Sequence, residues 1–138
     1  MIEPNEAKVL GDFTENYSFV VQDEIQGHHW NKPQCSLYPV IVYFCYQTVL
    51  DNSSICIISD DLDNDVGFIH KVLKKTRAHI KETLNPSIEV IHYLSDGCAA
   101  HYKNCKHFLN LCHHPTDFSI CRMWNFFSTS HGNHPVTE

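Results

Sequence analysis

Two aspartates lie at strand-like apolar segments that are far apart in the sequence. Asp12 falls within residues 8–19 (KVLGDFTENYSF), and Asp96 follows the apolar run of residues 88–94 (IEVIHYL). Strands that are distant in sequence can lie side by side, which would bring the two carboxylates together. A divalent cation would neutralise their combined negative charge, and Mg²⁺ favours such hard oxygen ligands. The pair therefore predicts a metal-dependent site for phosphoryl transfer, of the kind found in nucleases.

The two aspartates differ in how well the local sequence explains them. An acid inside a strand is costly unless it is paired or liganded, which favours a functional role for Asp12, although an edge position facing water is an alternative. Asp96 has a simpler alternative, because Ser-Asp-Gly at residues 95–97 suits a turn or a helix cap.

The composition predicts one domain spanning residues 1–138, with 43% hydrophobic and 12% aromatic residues available for a core. The formal net charge of -6 opposes strong binding to nucleic acid, because phosphate neutralisation needs clustered Lys and Arg. Affinity for DNA would need a local basic patch, a metal ion or a further domain.

Cysteine usage and hydropathy bear on the compartment. The seven cysteines cannot all pair within one chain, and the N-terminus does not have a basic segment followed by an apolar one. No apolar run approaches the ~20 residues of a membrane helix. We expect an intracellular protein with reduced thiols and no membrane partner, and a nuclear location would suit a DNA partner.

Hydrophobic periodicity predicts an α/β domain whose elements follow the order βββαβαβ. The predicted strands are residues 7–13, with an optional continuation through 17–21, and residues 37–46, 54–59, 88–94 and 123–127. The first helix follows the spacing of Val66, Ile69, Leu73, Ile80 and Leu84, with Asn64 or Asp65 as its cap and Asn85-Pro86 as its end. The second helix is predicted at about residues 98–112, with Ser95 or Asp96 near its N-terminus.

The element order also predicts the sheet. Strands joined by helices pair in parallel through right-handed crossovers, so strands four and five should run parallel to strand one. Strand one should lie between strands two and four, with strand two antiparallel to it. Asp12 and Asp96 would then face one cleft at the carboxyl ends of parallel strands, with carboxylates about 4–8 Å apart.

Four segments in order resemble a largely uncharacterised family of transposon-derived proteins with a DDE-type, ribonuclease-H-like transposase catalytic domain. They are GDFTENYSFVVQDE (residues 11–24), YLSDGCAAHYKN (93–104), NLCHH (110–114) and WNFFSTSHG (124–132). The resemblance implies a ribonuclease-H-like fold, a mixed five-stranded sheet with helices packed on it. It also implies an ancestral DNA strand cleavage or transfer reaction that depends on Mg²⁺ or Mn²⁺.

The resemblance assigns two of three catalytic acids, Asp12 and Asp96, as metal ligands. Thr137 stands where the third acid is expected, and Glu138 follows it. The resemblance therefore implies a truncated or decayed copy that lacks its C-terminal helix and has impaired activity. Glu15, His131 and Glu138 are the candidates for a third or supporting group.

Two other classes of function stay open. One is a non-enzymatic remnant that binds nucleic acid or a protein, with DNA contacts from basic residues of the two predicted helices: Lys71, Lys74, Lys75, Arg77, Lys81, Lys103, Lys106 and His107. The other is a zinc-stabilised module built from a set of thiols and imidazoles: Cys105, Cys112, His113, His114, Cys121, His131 and His134.

Spacing argues against the zinc module. Structural zinc usually shows paired ligands two to four residues apart, and the sequence contains no Cys-x-x-Cys pair. Cys98, Cys105 and Cys112 recur at helical spacing instead, so we expect them to be buried against the sheet. The identity of a bound metal would separate these classes, because thiolate and imidazole select zinc whereas carboxylates select Mg²⁺ or Mn²⁺.

Overall fold

A mixed β-sheet with two helices on one of its faces forms the fold. The structure is a computed structural model that describes residues 2–14, 16–19, 33–99 and 101–127. Its elements are β1 (Glu6–Gly11), β2 (Tyr17–Ser18), β3 (Gln34–Tyr46), β4 (Val49–Ser59), α1 (Val66–His79), a π-helical segment (Ile80–Leu84), β5 (Val90–Ser95), α2 (Cys105–Phe118) and β6 (Cys121–Phe126). This confirms the α/β class and the predicted order. The optional continuation of the first predicted strand is a separate short strand, β2, and residues 20–21 of that continuation lie outside the described residues.

The sheet has the order β2-β3-β1-β5-β6, with β4 paired to β3. Strand β1 is antiparallel to β3 and parallel to β5, and β5 is parallel to β6. The second and fourth strands predicted from the sequence, residues 37–46 and 88–94, correspond to β3 and β5. The predicted position of the first strand between these two is therefore confirmed, as are the strand directions. In the register of β1 and β5, Leu10 lies opposite Leu94, so the two strands end at the same edge of the sheet.

Alternate residues of the central strands form the core. Val9, Val42 and Tyr93 are neighbours across β1, β3 and β5, and all are buried. Phe68 of α1 and Phe118 of α2 belong to the same hydrophobic cluster. Since one strand face carries these residues, both helices pack on that face.

Helix α1 begins as the sequence predicts. Asp65 is its N-cap, and its side chain accepts a hydrogen bond from the backbone N–H of Phe68 at 2.9 Å. The apolar positions Ile69 and Leu73 are buried, as the helical spacing requires. The α-helix ends at His79 and continues as the π-helical segment to Leu84.

Helix α2 differs from the prediction. It begins at Cys105, where the side chain of Asn104 caps it by accepting from the backbone N–H of His107 at 2.9 Å. Neither Ser95 nor Asp96 caps this helix, because the described residues 96–99 and 101–104 that separate β5 from α2 are not helical.

The later start of α2 changes which face is buried. His107, Leu111, His114 and Phe118 face the sheet. Cys105 and Cys112 are exposed, and Cys98 precedes the helix and is half-buried. The prediction that all three cysteines are buried was wrong, because imidazole rings fill the interface. His107, for example, packs against Trp124 with ring centroids 4.5 Å apart.

All seven cysteines lie within the described ranges, and each is a free thiol. Within those ranges, neither helix is both long and apolar enough to cross a membrane.

Candidate acidic site

Asp12 and Asp96 lie immediately beyond the carboxyl ends of two adjacent parallel strands. Strand β1 ends at Gly11 and β5 ends at Ser95. The two carboxylates are close enough for the charge of Asp96 to raise the pKa of Asp12. The strand order thus brings together the two acids that the sequence singled out.

Asp12 is held through one of its carboxylate oxygens. Its Oδ1 accepts hydrogen bonds from the backbone N–H of Phe13 at 2.8 Å and from the hydroxyl of Tyr102 at 3.3 Å. Within the described ranges, no donor bonds its Oδ2. The expectation that Asp12 lies inside a strand was wrong, because β1 ends one residue earlier and Asp12 is exposed. The cost of burying an acid in a strand is therefore no argument for its function.

Asp96 begins a tight turn. Its Oδ1 accepts a hydrogen bond from the backbone N–H of Cys98, two residues further on, at 3.0 Å, which is the pattern of an Asx turn. The turn is connected to β6 through Ser95, whose hydroxyl donates to the carbonyl of Asp96 at 3.1 Å and accepts from Nε1 of Trp124 at 2.9 Å. Asp96 thus has the structural role that the sequence offered as an alternative. Its Oδ2 still has no donor among the residues described, so the turn is compatible with a ligand role.

Electrostatics distinguish this pair from ordinary surface acids. Although the Asp12 side chain is exposed overall, the surrounding protein partly desolvates its carboxyl, and this desolvation raises the pKa of Asp12. The neighbouring charge of Asp96 raises that pKa further. The Phe13 N–H, the Tyr102 hydroxyl and the charge of His101 lower that pKa but do not reverse the shift. When both are ionised, Asp12 and Asp96 repel each other, and a cation between the two carboxylates would reduce this repulsion.

Two buried tyrosines support Asp12 from inside the fold. The hydroxyl of Tyr102 lies 2.8 Å from that of Tyr38, a residue of β3. Burial raises the pKa of both phenols, so both are neutral hydrogen-bonding groups. Sequence reasoning missed them because tyrosines are common core residues. The only local signal was Gly11 beside Asp12, where the missing side chain leaves room for the Tyr38 ring.

Two further groups lie against residues that adjoin the acids in the sequence, Gly97 after Asp96 and Phe13 after Asp12. The ammonium group of Lys103 lies 4.8 Å from the centroid of the Phe126 ring, and its side chain crosses Gly97. The ring of His101 packs against Phe13 with centroids 4.6 Å apart. Lys103 was predicted to lie on the second helix. In the structure it lies just before α2, in the segment that connects Asp96 to this helix.

Residues 1–137 match the model of a domain of unknown function, DUF8701. The chain belongs to this family. No curated protein and no solved structure matches the chain. No activity is assigned to this family.

The two carboxylates are compatible with a hard cation that keeps part of its water shell. Within the described ranges, no group of three or more His, Cys, Asp or Glu side chains is placed to hold a metal ion. Mg²⁺ is commonly bound through only one or two carboxylates together with waters and substrate phosphates. Asp12 and Asp96 are compatible with that mode. The other candidates, Glu15, His131 and Glu138, lie outside the described residues, as does Thr137.

The zinc candidates that the structure describes do not form a group of three or more side chains placed to hold a metal ion. His113 is exposed on α2. Cys105, Cys112 and Cys121 are exposed. His114 is fully buried, and its ring nitrogens lie 3.2 Å from the Tyr93 hydroxyl and 3.3 Å from the carbonyl of Ile120. His131 and His134 lie outside the described residues.

The basic residues proposed to contact DNA need one correction. His107 is 0% exposed and so cannot touch a phosphate backbone. Lys71, Lys74 and Lys75 line a shallow surface depression with Ala78, on the outer side of α1. Of the basic residues predicted for the second helix, Lys103 is the one beside the acidic site.

An open groove of about 690 Å³ lies between the N-termini of α1 and α2. Neither Asp12 nor Asp96 lines it. Asp65 and Asn104 cap the two helices there and already accept from their backbone N–H groups. The groove is therefore a weaker candidate for anion binding than two free helix ends would be.

Proposed function

We propose that this chain is a transposase-derived domain of ribonuclease-H-like architecture, in which Asp12 and Asp96 bind Mg²⁺ or Mn²⁺ at a DNA-cleaving site. The observation that carries the proposal is the position of these acids beyond the ends of the adjacent parallel strands β1 and β5. Support also comes from the antiparallel pairing of β1 with β3 on the other side. This arrangement is the one that the resemblance to DDE-type transposases implies.

The metal ion, the two aspartates and Lys103 would each have a different role at the site. When bound, the metal would supply a polarised water or hydroxyl and would neutralise charge on the transferred phosphate. The free Oδ2 atoms of Asp12 and Asp96 would hold the cation. Lys103 would contact a phosphate from the side of Gly97, where its ammonium group lies over Phe126. DNA is the proposed partner, and the nucleus the compartment that this partner would require.

Catalysis by this chain is expected to be slow. Two-metal chemistry needs enough ligands for both ions, and the described residues supply two carboxylates. The net charge of -6 also weakens binding to DNA. These observations favour a second candidate, a non-enzymatic remnant that keeps the fold and binds nucleic acid or a protein.

The decisive experiment measures binding of Mn²⁺ alone by isothermal titration calorimetry and electron paramagnetic resonance. We expect one site, with affinity reduced at least about 10-fold in both Asp12→Asn and Asp96→Asn. The matched control is Asp63→Asn, which removes an exposed carboxylate from the acidic segment 60–65. An equal loss in the control, or no binding by the wild type, contradicts the proposed metal site.

A second measurement separates the enzyme from the remnant. Supercoiled plasmid is incubated with Mn²⁺ and either the wild type or Asp96→Asn. Slow nicking that Asp96→Asn abolishes supports the enzyme. Mn²⁺ binding without nicking supports the remnant.

A further inference from the structure

We propose that Tyr102, supported by Tyr38, is a positioning residue that fixes the Asp12 carboxylate so that Oδ2 faces the cation. The hydrogen bonds exist irrespective of any metal. Their effect on metal affinity rests on the function proposed above.

The number of protons that each group carries determines which one donates in the hydrogen bonds among Tyr38, Tyr102 and Asp12. Ionised Asp12 can only accept, so the Tyr102 hydroxyl donates to its Oδ1 at 3.3 Å. A tyrosine hydroxyl has one proton, and that of Tyr102 is used by Asp12. The Tyr38 hydroxyl, 2.8 Å away, must therefore donate to Tyr102. The hydrogen-bond chain runs from Tyr38 through Tyr102 to Asp12.

The surrounding packing prevents either hydroxyl from turning to water. Tyr102 is 0% exposed and Tyr38 is 4% exposed. The ring of Phe13 packs edge-on against Tyr38 with centroids 4.9 Å apart, and Trp124 lies 5.8 Å from Tyr102. Both phenols are thus rigid, and so is the point at which they hold Asp12.

Residue Asp12 itself is exposed and lies beyond the end of β1, so the strand ladder does not fix its side chain. The two bonds to Oδ1, from Phe13 N–H and from Tyr102, restrict its rotation. With Oδ1 occupied, Oδ2 is the oxygen left for a ligand. Groups that orient a metal ligand in this way commonly change metal affinity when they are removed.

A purely structural role for Tyr102 is the competing explanation, since a buried hydroxyl must find a hydrogen-bond partner. That role predicts lower stability for Tyr102→Phe but unchanged metal affinity in the folded protein. Tyr93→Phe is the matched control. Tyr93 is also a buried tyrosine whose hydroxyl is bonded, but its partner is His114 at 3.2 Å.

The first arm of the test measures Mn²⁺ affinity of the folded variants. We expect Tyr102→Phe to weaken binding by about 10-fold, Tyr38→Phe to weaken it less, and Tyr93→Phe to leave it within about 2-fold. Circular dichroism and urea denaturation verify that each variant is folded. Unchanged affinity in Tyr102→Phe, in a wild type that binds Mn²⁺, overturns the inference while leaving the proposed function intact.

The second arm needs no metal and tests the bond itself. A double-mutant cycle combines Tyr102→Phe with Asp12→Ala and compares unfolding equilibrium constants. We expect a coupling of at least about 5-fold, against less than about 2-fold for Tyr93→Phe with Asp12→Ala. Absence of coupling between Tyr102 and Asp12 overturns the inference. If coupling is present but the wild type fails to bind Mn²⁺, the positioning stands and the proposed metal site fails.

Discussion

The ring of Tyr38 occupies the space beside Gly11 into which any other residue would extend a β-carbon. A β-carbon built on Gly11 would lie 2.7 Å from Cε1 of Tyr38 and 3.3 Å from its hydroxyl. Contacts that short force one of the groups to move. Because Tyr38 is buried and leads to Asp12 through Tyr102, Gly11 connects the backbone of β1 to the geometry of the acidic site.

Gly11→Ala should therefore destabilise the protein. The added methyl group has to displace a packed aromatic ring, and overpacking of this kind costs roughly 1–3 kcal/mol. Urea denaturation measures the change. Gly97→Ala is the control, because its β-carbon would meet the flexible end of Lys103, which can move aside. Equal stability of Gly11→Ala and the wild type would show that Tyr38 is free to shift.

Acid should destabilise the fold through two buried histidines. Burial lowers the pKa of His107 and of His114 to about 4, mainly because charging an imidazole in the core is costly. Their contribution to stability is fully present above the ordinary histidine pKa and is lost as the pH falls from about 6.5 towards about 4. The loss for each is on the order of 3 kcal/mol at most, since one pKa unit corresponds to about 1.4 kcal/mol.

The pH dependence can be measured by urea denaturation between these two pH values. We expect His107→Phe to remove a large share of it, because a phenyl ring fills the same space and does not titrate. His113 lies on the exposed side of the same helix, so His113→Gln should leave the profile unchanged. A profile that His107→Phe does not alter would show that His107 has access to water.

The sheet was predictable from the sequence because each of its elements has a recognisable local sequence pattern. Apolar β-rich runs marked the strands, and the helical spacing from Val66 to Leu84 marked the crossover before β5. Each of the two helices connects one strand to the next. Because such connections are right-handed and short, they predict the parallel pairing of β1 with β5 and of β5 with β6. That order was enough to place Asp12 beside Asp96.

The error in α2 has a physical cause. Cys98, Cys105 and Cys112 have the spacing of a helical face, and cysteine packs as a small apolar residue. The core instead buries His107 and His114, which sequence reasoning treats as polar. His107 packs against Trp124 of β6 and His114 against Tyr93 of β5, and these contacts across the fold are not visible in the local sequence. His114 also packs against Phe118, four residues further along the same helix.

The support of the acidic site was likewise hidden. Tyr38 and Tyr102 are 64 residues apart and meet only when β3 packs beside β1 and the loop before α2 folds over its end. A sequence can suggest which acids do chemistry from their residue type. It does not show which buried hydroxyls hold them, because that depends on long-range packing.

Removing Asp96 should lower the pKa of Asp12. Repulsion from Asp96 is the second contribution to the raised pKa of Asp12, after burial, so Asp96→Asn should move it part of the way towards its ordinary value. Carbon-13 NMR titration of the Asp12 carboxyl measures the shift, with Asp63→Asn as the control. No shift in Asp96→Asn would contradict the closeness of the two acids.

The same pair affects stability, with a sign that follows from the direction of the shift. A carboxyl with a raised folded pKa stabilises the fold below its unfolded pKa, and that contribution is lost as the pH rises through the folded value. Without metal, Asp12→Asn should therefore gain stability relative to the wild type on going from acid to neutral pH. Added Mn²⁺ should reverse the difference, because it stabilises the form that binds it.

Lys103 offers the most direct test of a nucleic-acid partner. Its ammonium group lies over Phe126 and beside Gly97, the residue after Asp96, whereas Lys74 lies on the outer side of α1. If DNA reaches Asp12 and Asp96, Lys103→Ala should weaken binding and reduce the slope of affinity against salt by about 1, because one phosphate contact is lost. Fluorescence anisotropy with a labelled duplex, measured at several salt concentrations in Mn²⁺, gives both quantities. Lys74→Ala has the same change in charge, so an equal effect of the two variants would indicate a diffuse attraction and no phosphate contact at the acids.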